Sequence, residues 1–309
     1  MAPSPVVERS CPICGSRTCE HVMELPDHQG TEVFGLSRCV ACDGLFLNPA
    51  PPAEAMARYY ETFAGPTMHN PGHPVFDWLR GVAIRRELSP LLKRLADAAV
   101  IADVGAGDGQ VVSFLHQQGR ACLACETFPE VEWRLKEIPY CQIDLNGPLT
   151  TMLPAEGAIL RHVLEHVHEP ARVLAWLRRS GVRYLFVVVP NASSPFARLF
   201  GQYWAHWDPP RHLTFFTPES LRLVAERNGY REVAMCDHGI DEFVTSLYRA
   251  RMIRWMRQDH GPSARSPWWN VLLHPKSLPA AISSALWAPL ASTALCRLFE
   301  LSGDAAFEG

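Results

Sequence analysis

The segment "AAVIADVGAGDGQ" at residues 98–110 restricts the fold of this chain more than any other. It is an apolar run of strand length that leads into a glycine-rich turn. The next residues, "VVSFLHQQG", have the apolar spacing of a helix that ends at Gly119. A strand, a glycine-rich turn and a helix together form a β-turn-α unit, which is typical of open sheets that bind a cofactor at the turn.

Strand-like segments recur along the chain after this unit, with helical segments between them. They are "ACLACE", "YCQID", "GAILR", "YLFVVVP" and "REVAMCDHG". Alternation of this kind predicts an α/β fold with a Rossmann-like, doubly wound sheet. In such a sheet the ligand site lies at the carboxyl ends of the strands.

The glycine spacing separates two kinds of cofactor. Dinucleotide sites use G-x-G-x-x-G, whereas this turn has G-x-G-x-G and carries Asp103 and Asp108, which would repel a pyrophosphate. A cationic ligand without phosphate, such as S-adenosylmethionine, suits these carboxylates better than a nicotinamide dinucleotide. Glu126 follows the glycines by about 20 residues, where an acid can bind both ribose hydroxyls. Asp144 beside Leu145 suits an adenine ring.

Two C-x-x-C pairs lie near the N-terminus, Cys11 with Cys14 and Cys39 with Cys42, separated by 24 residues. Four thiolates in two such knuckles form a closed tetrahedral zinc site, which is structural because no position is left for water. Each pair is followed within two residues by a glycine, as a tight knuckle requires. Cys19 and His21 are nearby alternative ligands.

Composition bounds the partners and the compartment. A chain of 309 residues with 48% apolar residues can bury one large core and a small satellite domain. Its net charge of −3 excludes an overall basic field for a nucleic-acid backbone. The N-terminus has no apolar signal region, so we expect a cytoplasmic protein whose ten cysteines bind metal or pack rather than form disulfides.

We predict four parts of the chain: a zinc-binding domain at 1–48, a helical cap at 49–95, a cofactor-binding core at 96–240 and a helical C-terminal region at 241–309. The last region shows no strand-like run, so a seventh strand is not expected. Its uncharged run 277–296 has the length of a membrane span, but two prolines and five Ser/Thr residues argue against one. Buried or partner-facing helices are the alternative.

The string "RHVLEHVHEP" at 161–170 contains His162-x-x-Glu165-His166, a spacing that some zinc peptidases use. That reading requires both histidines on one helix. Here a strand is predicted to end at Arg161, and Pro170 limits where the next helix starts. Glu165 could cap a helix start, and His166 could be a buried histidine or a base that faces an acceptor.

These segments resemble the class I S-adenosylmethionine-dependent methyltransferases. The resemblance is closest to the branch with an N-terminal zinc-binding domain, which includes sugar C-methyltransferases and relatives in secondary metabolism. It is carried by the cysteine pairs, "DVGAGDG", Glu126, "IDL", "LRHVLEHVHEP", "VVVPN" and "PPRHLTFFTPESL". It implies that "HVLEHV" lines the methyl-transfer cleft without a metal. The expected cofactor residues are Asp103, Gly105, Ala106, Gly107, Glu126, Asp144, Leu145 and His162.

The segment "QYWAHWDPPRHLTFF" at 202–216 follows the fifth strand and has the densest aromatic and histidine content of the chain. A long connection at this position is expected over the cofactor cleft. Its aromatic residues are either core packing or a substrate wall, and the candidate substrate residues are Tyr203, Trp204, Trp207 and Arg211. His212 and His166 are the candidate catalytic bases, because histidine titrates near neutral pH.

The expected function is methyl transfer to a small-molecule acceptor, at carbon or oxygen, with S-adenosylmethionine as the donor and zinc as a structural metal. A non-catalytic binding protein of the same fold is the alternative. Intact Gly105, Gly107, Glu126 and Asp144 argue against that alternative. A nicotinamide dehydrogenase is disfavoured by the glycine spacing.

Overall fold

A computed structural model describes residues 6–27, 31–61, 74–127, 137–236 and 294–302. The chain divides into two compact units. The first contains the described residues up to Tyr60, Pro190–Ser220 and residues 294–295. The second contains the described residues of Glu61–Val189, Leu221–Cys236 and from Cys296 onward. The four-part division that we predicted from the sequence stays a prediction.

The second unit is built on a seven-stranded sheet. Its strands are β4 (Ile101–Val104), β5 (Cys122–Glu126), β6 (Tyr140–Gln142), β7 (Gly157–Arg161), β8 (Tyr184–Pro190), β10 (Tyr230–Met235) and β11 (Ala294–Leu301). They are arranged in the order β10-β11-β8-β7-β4-β5-β6. The five strands β8, β7, β4, β5 and β6 are parallel to one another. Strands β10 and β11 pair with each other in antiparallel orientation. The predicted doubly wound α/β sheet is therefore confirmed.

Helices connect these strands as the sequence pattern predicts. They are α2 (Pro74–Leu92), α3 (Gln110–Gln117), α4 (Pro170–Arg179) and α6 (Pro218–Arg227). Helix α4 begins with proline at its first turn, where a missing N–H costs nothing. Helix α6 follows Thr217, whose hydroxyl accepts from the Ser220 N–H. No helix within the described part of the chain is long and apolar enough to cross a membrane.

The C-terminal region contradicts the sequence prediction. Residues 294–301, expected to end a helix, form β11 between β8 and β10, so the seventh strand is present. Arg297 lies in this strand with 4% exposure and pairs with Glu232 at 3.5 Å. In the sequence, this charged residue interrupts the apolar run by which a buried strand is recognised. The predictions for 241–293, including most of the run 277–296, fall outside the described residues.

The expectation that the cysteines would not form disulfides is wrong for one pair. Cys236 follows β10 and forms a disulfide with Cys296 of β11. The backbone N–H of Cys236 also donates to the carbonyl of Cys296 at 3.0 Å. This pair therefore joins the two antiparallel strands covalently. Eight described cysteines take no part in a disulfide, and four of them belong to the two C-x-x-C knuckles.

The first unit contains a four-stranded antiparallel sheet. Its strands are β1 (Cys19–Pro26), β2 (Val33–Cys39), β3 (Leu45–Leu47) and β9 (Thr214–Phe215). They lie in the order β1-β2-β3-β9. The last strand comes from the segment after β8, about 170 residues beyond β3, and the Leu47 N–H also donates to the Leu213 carbonyl at 3.0 Å. Two distant parts of the sequence thus share one sheet.

The core of the first unit confirms this joint construction. Leu25, Phe34 and Leu36 from the N-terminal strands pack in one apolar cluster with Trp204 and Trp207. Short helices border the cluster: α1 (Ala57–Glu61) and α5 (Pro195–Phe200), with 3₁₀ turns at Ala53–Ala55, Gly201–Tyr203 and Ala205–Trp207. Burial of large aromatic side chains supplies much of the stabilisation of such a small unit.

Candidate functional site

The glycine turn after β4 brings three strand ends together. The N–H groups of Gly105 and Ala106 donate to the Cys125 carbonyl of β5, at 2.8 and 3.0 Å. Gly105 has φ +77, and a Cβ placed on it would lie 2.6 Å from Val163, which follows β7. No larger residue fits there, so the turn stays tight against the neighbouring loop. The cofactor residues predicted from β4, β5 and β7 therefore meet at one edge of the sheet.

Glu126 ends β5 beside this turn, and its carboxylate is held by two backbone donors. Gly107 donates to Oε2 at 2.8 Å and Thr127 donates to Oε1 at 2.7 Å. Each carboxylate oxygen can accept more than one hydrogen bond, so both keep capacity for a ligand. Because the group is fixed before a ligand arrives, little side-chain entropy is lost on binding.

Asp103 is the buried acid of the site, 3% exposed at the end of β4. Burial raises the pKa of Asp103 to about 7, although a backbone hydrogen bond from Val112 and the positive charge of Arg161 act in the opposite direction. Its Oδ2 has no hydrogen-bond partner within the described part of the chain. A buried carboxyl oxygen of this kind is suited to a cationic or hydrogen-bond-donating ligand.

The loop after β6 places Asp144 and Leu145 as the sequence predicts, next to each other at the edge of the sheet. Asp144 is exposed and accepts from the Asn146 N–H at 2.9 Å, whereas Leu145 is buried. Asn146 in turn accepts from the His168 N–H at 2.9 Å. Arg172 of α4 donates to the Leu145 carbonyl at 3.1 Å. These bonds hold the loop against the turn that follows β7.

That turn carries His162, Glu165 and His166 and contains no helix. β7 ends at Arg161 and α4 begins at Pro170, so the two histidines do not share a helix face. The geometry of a zinc-peptidase helix is therefore missing. His162 has φ +56, and its Nδ1 lies 3.2 Å from Oε1 of Glu165. Glu165 is 1% exposed and lies five residues before α4, so it does not cap that helix.

The first unit brings the four knuckle cysteines together. One sulfur of each of Cys11, Cys14, Cys39 and Cys42 lies within 4.8 Å of the others. The Cys11 and Cys42 sulfurs are 3.5 Å apart, as are those of Cys14 and Cys39. Tetrahedral zinc with bonds of about 2.3 Å would separate the sulfurs by about 3.8 Å. The four thiols therefore fit zinc closely.

The backbone conformation of each knuckle explains why a glycine follows each cysteine pair. Gly15 has φ +78, and Gly44 is so close to Ile13 that a Cβ would lie 2.4 Å from its Cδ1. Burial would raise the pKa of Cys39, but hydrogen bonds from the Ala41 backbone and the Cys14 thiol outweigh it and lower the pKa to about 7. Burial raises the pKa of Cys11 to about 11 and also raises the pKa of Cys42, so zinc binding would release protons from these two thiols.

The aromatic residues of the segment 202–216 differ in exposure. Trp204 is fully buried and Trp207 is 3% exposed. Their rings meet edge to face at 5.0 Å, and the Trp207 indole donates to the Gly201 carbonyl at 2.7 Å. This burial favours core packing over a substrate wall for both tryptophans. Tyr203 is half-buried.

His212 and Arg211 are both held by neighbours in the same segment. The His212 side chain is buried at 7% exposure, and its Nδ1 lies 2.7 Å from the His206 carbonyl. A carbonyl only accepts, so Nδ1 must carry a proton. Arg211 forms an ion pair with Asp208.

Several residues of the site were not predicted from the sequence. Thr127 contributes a backbone N–H, and Val163 contacts the position of Gly105. Neither contribution requires a particular residue type or spacing that the sequence would reveal. Asn146 was detectable, because an Asn two residues after Asp144 is typical of a tight turn. For Glu165 a helix cap was one open reading, and its contact with His162 has no sequence signal of its own.

Comparison with known sequences identifies one matching family. A family model described as "Methyltransferase domain" matches residues 78–234, just over half of the chain. The match includes the glycine turn, Glu126 and the turn after β7. No curated protein matches the sequence.

Solved structures similar to the chain have low sequence identity. A 1,6-didemethyltoxoflavin-N1-methyltransferase of Burkholderia thailandensis is 15% identical, with 85% of this chain and 97% of that chain covered and a TM-score of 0.47. The magnesium protoporphyrin IX methyltransferase of Synechocystis PCC 6803 is 13% identical, with coverage of 60% and 88% and a TM-score of 0.43. The [4+2]-cyclase SpnF is 15% identical, with coverage of 82% and 98% and a TM-score of 0.49.

Proposed function

Because the chain belongs to the methyltransferase-domain family, we propose that it transfers a methyl group from S-adenosylmethionine to a small-molecule acceptor of sugar or secondary metabolism, at carbon or oxygen. The observation that carries the proposal is the Glu126 carboxylate, held by the Gly107 and Thr127 N–H groups beside the glycine turn. A fixed carboxylate there suits a ribose diol, and together with Asp103 it opposes a pyrophosphate.

The chain's own residues would divide the binding work. Glu126 would accept from the ribose hydroxyls, Asp144 from the adenine amino group, and Leu145 would pack against the ring. Asp103, Gly105, Ala106, Gly107 and His162 would surround the amino-acid part. When bound, S-adenosylmethionine supplies an electrophilic methyl group on a sulfonium. The protein then has to position the acceptor and, where the acceptor is an acid, to take up its proton.

His212 and His166 are the proposed bases. For His212, the hydrogen bond to the His206 carbonyl supports the proposal, because a neutral ring with hydrogen on Nδ1 carries its lone pair on Nε2. Tyr203 and Arg211 are the proposed contacts to the acceptor. An acceptor anion would compete with Asp208 for Arg211.

We propose that the four knuckle cysteines hold one structural Zn²⁺. Support comes from their sulfur distances and from the two glycines that the knuckles require. Zinc would contribute folding energy to the first unit, since a closed four-thiolate site has no open position for chemistry.

Calorimetry with candidate ligands tests the cofactor. We expect S-adenosylhomocysteine to bind and NAD not to bind. Binding of NAD alone would favour a dehydrogenase, and binding of neither would remove the proposal. Incubation with methyl-labelled S-adenosylmethionine and fractionated small metabolites would then identify the acceptor.

Replacement of the histidines tests base catalysis. Gln keeps the approximate shape of histidine but cannot take a proton, so loss of a true base should reduce turnover by about 10²–10⁴-fold with S-adenosylhomocysteine affinity unchanged. His116→Gln, at a half-exposed histidine of α3, is the matched control. Near wild-type turnover in both His212→Gln and His166→Gln would leave positioning alone as their role.

A further inference from the structure

The turn after β7 contains a histidine in an uncommon backbone conformation. The N–H of His162 donates to the Val188 carbonyl of β8 at 2.8 Å, so the residue still belongs to the edge of the sheet. Its φ of +56 then turns the chain sharply away. Residues other than glycine rarely adopt this region, and they keep it where the surroundings hold them there.

The side chain of His162 is held by a buried carboxylate. Nδ1 lies 3.2 Å from Oε1 of Glu165, and the exposed fractions of the two side chains are 38% and 1%. Burial alone would raise the pKa of Glu165, but the hydrogen bond with His162 and the positive charges of His162 and His166 outweigh it and lower the pKa. The carboxyl group is therefore ionised at neutral pH.

An ionised carboxylate accepts hydrogen bonds and donates none. The hydrogen of a neutral His162 ring must then sit on Nδ1, which leaves the lone pair on Nε2. This is the way in which a carboxylate orients the histidine of a catalytic triad. Oε2 of Glu165 is buried and has no hydrogen-bond partner among the residues that the structure describes. A buried carboxylate oxygen without a hydrogen bond costs stability, so its presence in a folded protein points to a role other than packing.

The pair lies at the cofactor end of the second unit. Val163, the residue after His162, is the residue that a side chain at Gly105 would strike. His162 therefore lies at the carboxyl end of β7, next to the glycine turn of β4. Ligands of doubly wound sheets bind at this edge.

We propose that Glu165 is a positioning residue that fixes His162 in the Nδ1–H form, and that His162 Nε2 takes the proton of the methyl acceptor. This inference rests on the proposed function, and it changes the role of His162 from lining the cofactor to acting as a base. In it His162 takes the proton in place of His212 and His166, which would then only position the acceptor. Glu165 would keep the protonated ring in place by pairing with its charge.

The proposed step balances atoms and charge. The proton of the acceptor's O–H or acidic C–H moves to His162 Nε2, and the electron pair of that bond becomes the nucleophile. The nucleophile forms a bond to the methyl carbon, and the electrons of the sulfur–carbon bond stay on sulfur. The products are the methylated acceptor, S-adenosylhomocysteine and a protonated His162, which later releases its proton to solvent.

Nitrogen-15 NMR of histidine-labelled protein tests the tautomer without an acceptor. The His162 signals are assigned from their loss in His162→Gln. We expect the neutral ring of the wild type to carry hydrogen on Nδ1, both alone and with S-adenosylhomocysteine. Glu165→Leu removes the acceptor and should shift the ring toward hydrogen on Nε2. Glu165→Gln keeps a carbonyl oxygen in place and should retain the Nδ1–H form.

Turnover with labelled S-adenosylmethionine and the acceptor fraction that takes up label tests the proton transfer. His162→Gln and Glu165→Leu should each lose about 10²-fold or more. Glu169→Gln, at an exposed carboxylate of the same turn, is the matched control and should keep both the tautomer and turnover. S-adenosylhomocysteine affinity, measured for every variant, checks that the site is folded.

The outcomes separate the pair from the proposed function. Wild-type protein that does not bind S-adenosylhomocysteine would overturn the proposed function, and with it the proton transfer, while the NMR result still decides how Glu165 holds His162. Hydrogen on Nε2 in the wild type, or an unchanged tautomer in Glu165→Leu, would overturn the positioning role. Full turnover of His162→Gln would overturn the base.

Discussion

The two units of the molecule are built in different ways from the same chain. Most of the second unit comes from one continuous part of the chain, Glu61–Val189, which supplies β4 to β8 one after another. The first unit combines the N-terminal residues with Pro190–Ser220, which are far away in the sequence. Its sheet is completed by a two-residue strand, Thr214–Phe215, and its core by Trp204 and Trp207.

The difference shows where each unit has its weak point. Parallel neighbours in the second unit pair over three to five residues and share a continuous apolar core. The sheet of the first unit has four strands against seven in the second, and the proposed zinc site would add to its stability. Trp204, Arg211 and His212 lie in the segment 202–216, which folds as part of this first unit. Folding of the proposed catalytic segment is thus linked to the cysteine knuckles.

Loss of the proposed zinc should have the largest effect, because structural zinc sites contribute about 10–16 kcal/mol of apparent binding free energy. In Cys39→Ser, at the end of β2, we expect amide protection to be lost from β1, β2 and β3 and also from residues 202–216. Peptides from β4 and β5 should keep their protection, and S-adenosylhomocysteine should still bind.

Hydrogen exchange followed by mass spectrometry measures both units in one experiment, with elemental analysis for one zinc per chain. Cys122→Ser, at a buried cysteine of β5 outside the knuckles, is the control and should leave the zinc content unchanged. Continued protection of 202–216 in zinc-free protein would break the link between the segment and the knuckles.

Trp204→Ala tests the shared core directly. Truncation of a fully buried Trp should cost about 3–5 kcal/mol of unfolding free energy. We expect urea denaturation, followed by circular dichroism, to show this loss in the first unit. Leu199→Ala, at a 67% exposed residue of α5, should change stability by less than about 0.5 kcal/mol. Similar stability of both variants would place Trp204 outside the core.

Local patterns explain why the second unit could be predicted. An apolar run, a glycine turn and a helix period are all visible within about 20 residues of "AAVIADVGAGDGQ", and together they specify one β-turn-α unit. The predicted cofactor residues Gly105, Glu126 and Asp144 follow from their positions at strand ends. Parallel strands end at the same edge of a sheet, so these residues lie at one edge. The alternation of strands and helices in the sequence predicts that parallel arrangement.

The parts that were not predicted depend on partners distant in sequence. β9 has no signal of its own, since two residues cannot show a period, and it forms only because β3 is available. Residues 294–301 show no clear strand-like run in the sequence, since the charged residues Arg297 and Glu300 interrupt their apolar pattern. Both charges have partners in the sheet region, Glu232 for Arg297 and Arg183 for Glu300. Such pairs are visible only after folding.

The pH dependence of stability tests the buried acid of the second unit. Asp103 has its pKa raised from 3.8 to about 7, so between these values the folded protein holds a proton that the unfolded chain has lost. Unfolding free energy should therefore fall as pH rises from about 4 to about 7, by up to about 4 kcal/mol. Asp103→Asn keeps the uncharged form and should remove this slope.

Urea denaturation at pH 5 and pH 8 measures the effect, with Asp97→Asn, at an exposed carboxylate, as the control. If the wild type and Asp103→Asn lost stability equally between the two pH values, the Asp103 carboxyl would not be the titrating group. The same measurement on Cys39→Ser should give the same slope, since Asp103 belongs to the second unit.

Glu126→Ala has the smallest expected effect, and it is confined to ligand binding. The carboxylate is fixed by the Gly107 and Thr127 N–H groups, so its loss would remove the two proposed charge-assisted bonds to the ribose and leave those donors to water. We expect S-adenosylhomocysteine affinity to fall by about 2–3 kcal/mol in calorimetry, with little change in unfolding of the first unit. Glu226→Ala, at an exposed acid of α6, should bind as the wild type does. Unchanged affinity in Glu126→Ala would remove this residue from the cofactor site and would transfer the discrimination against phosphate to Asp103 and Asp108.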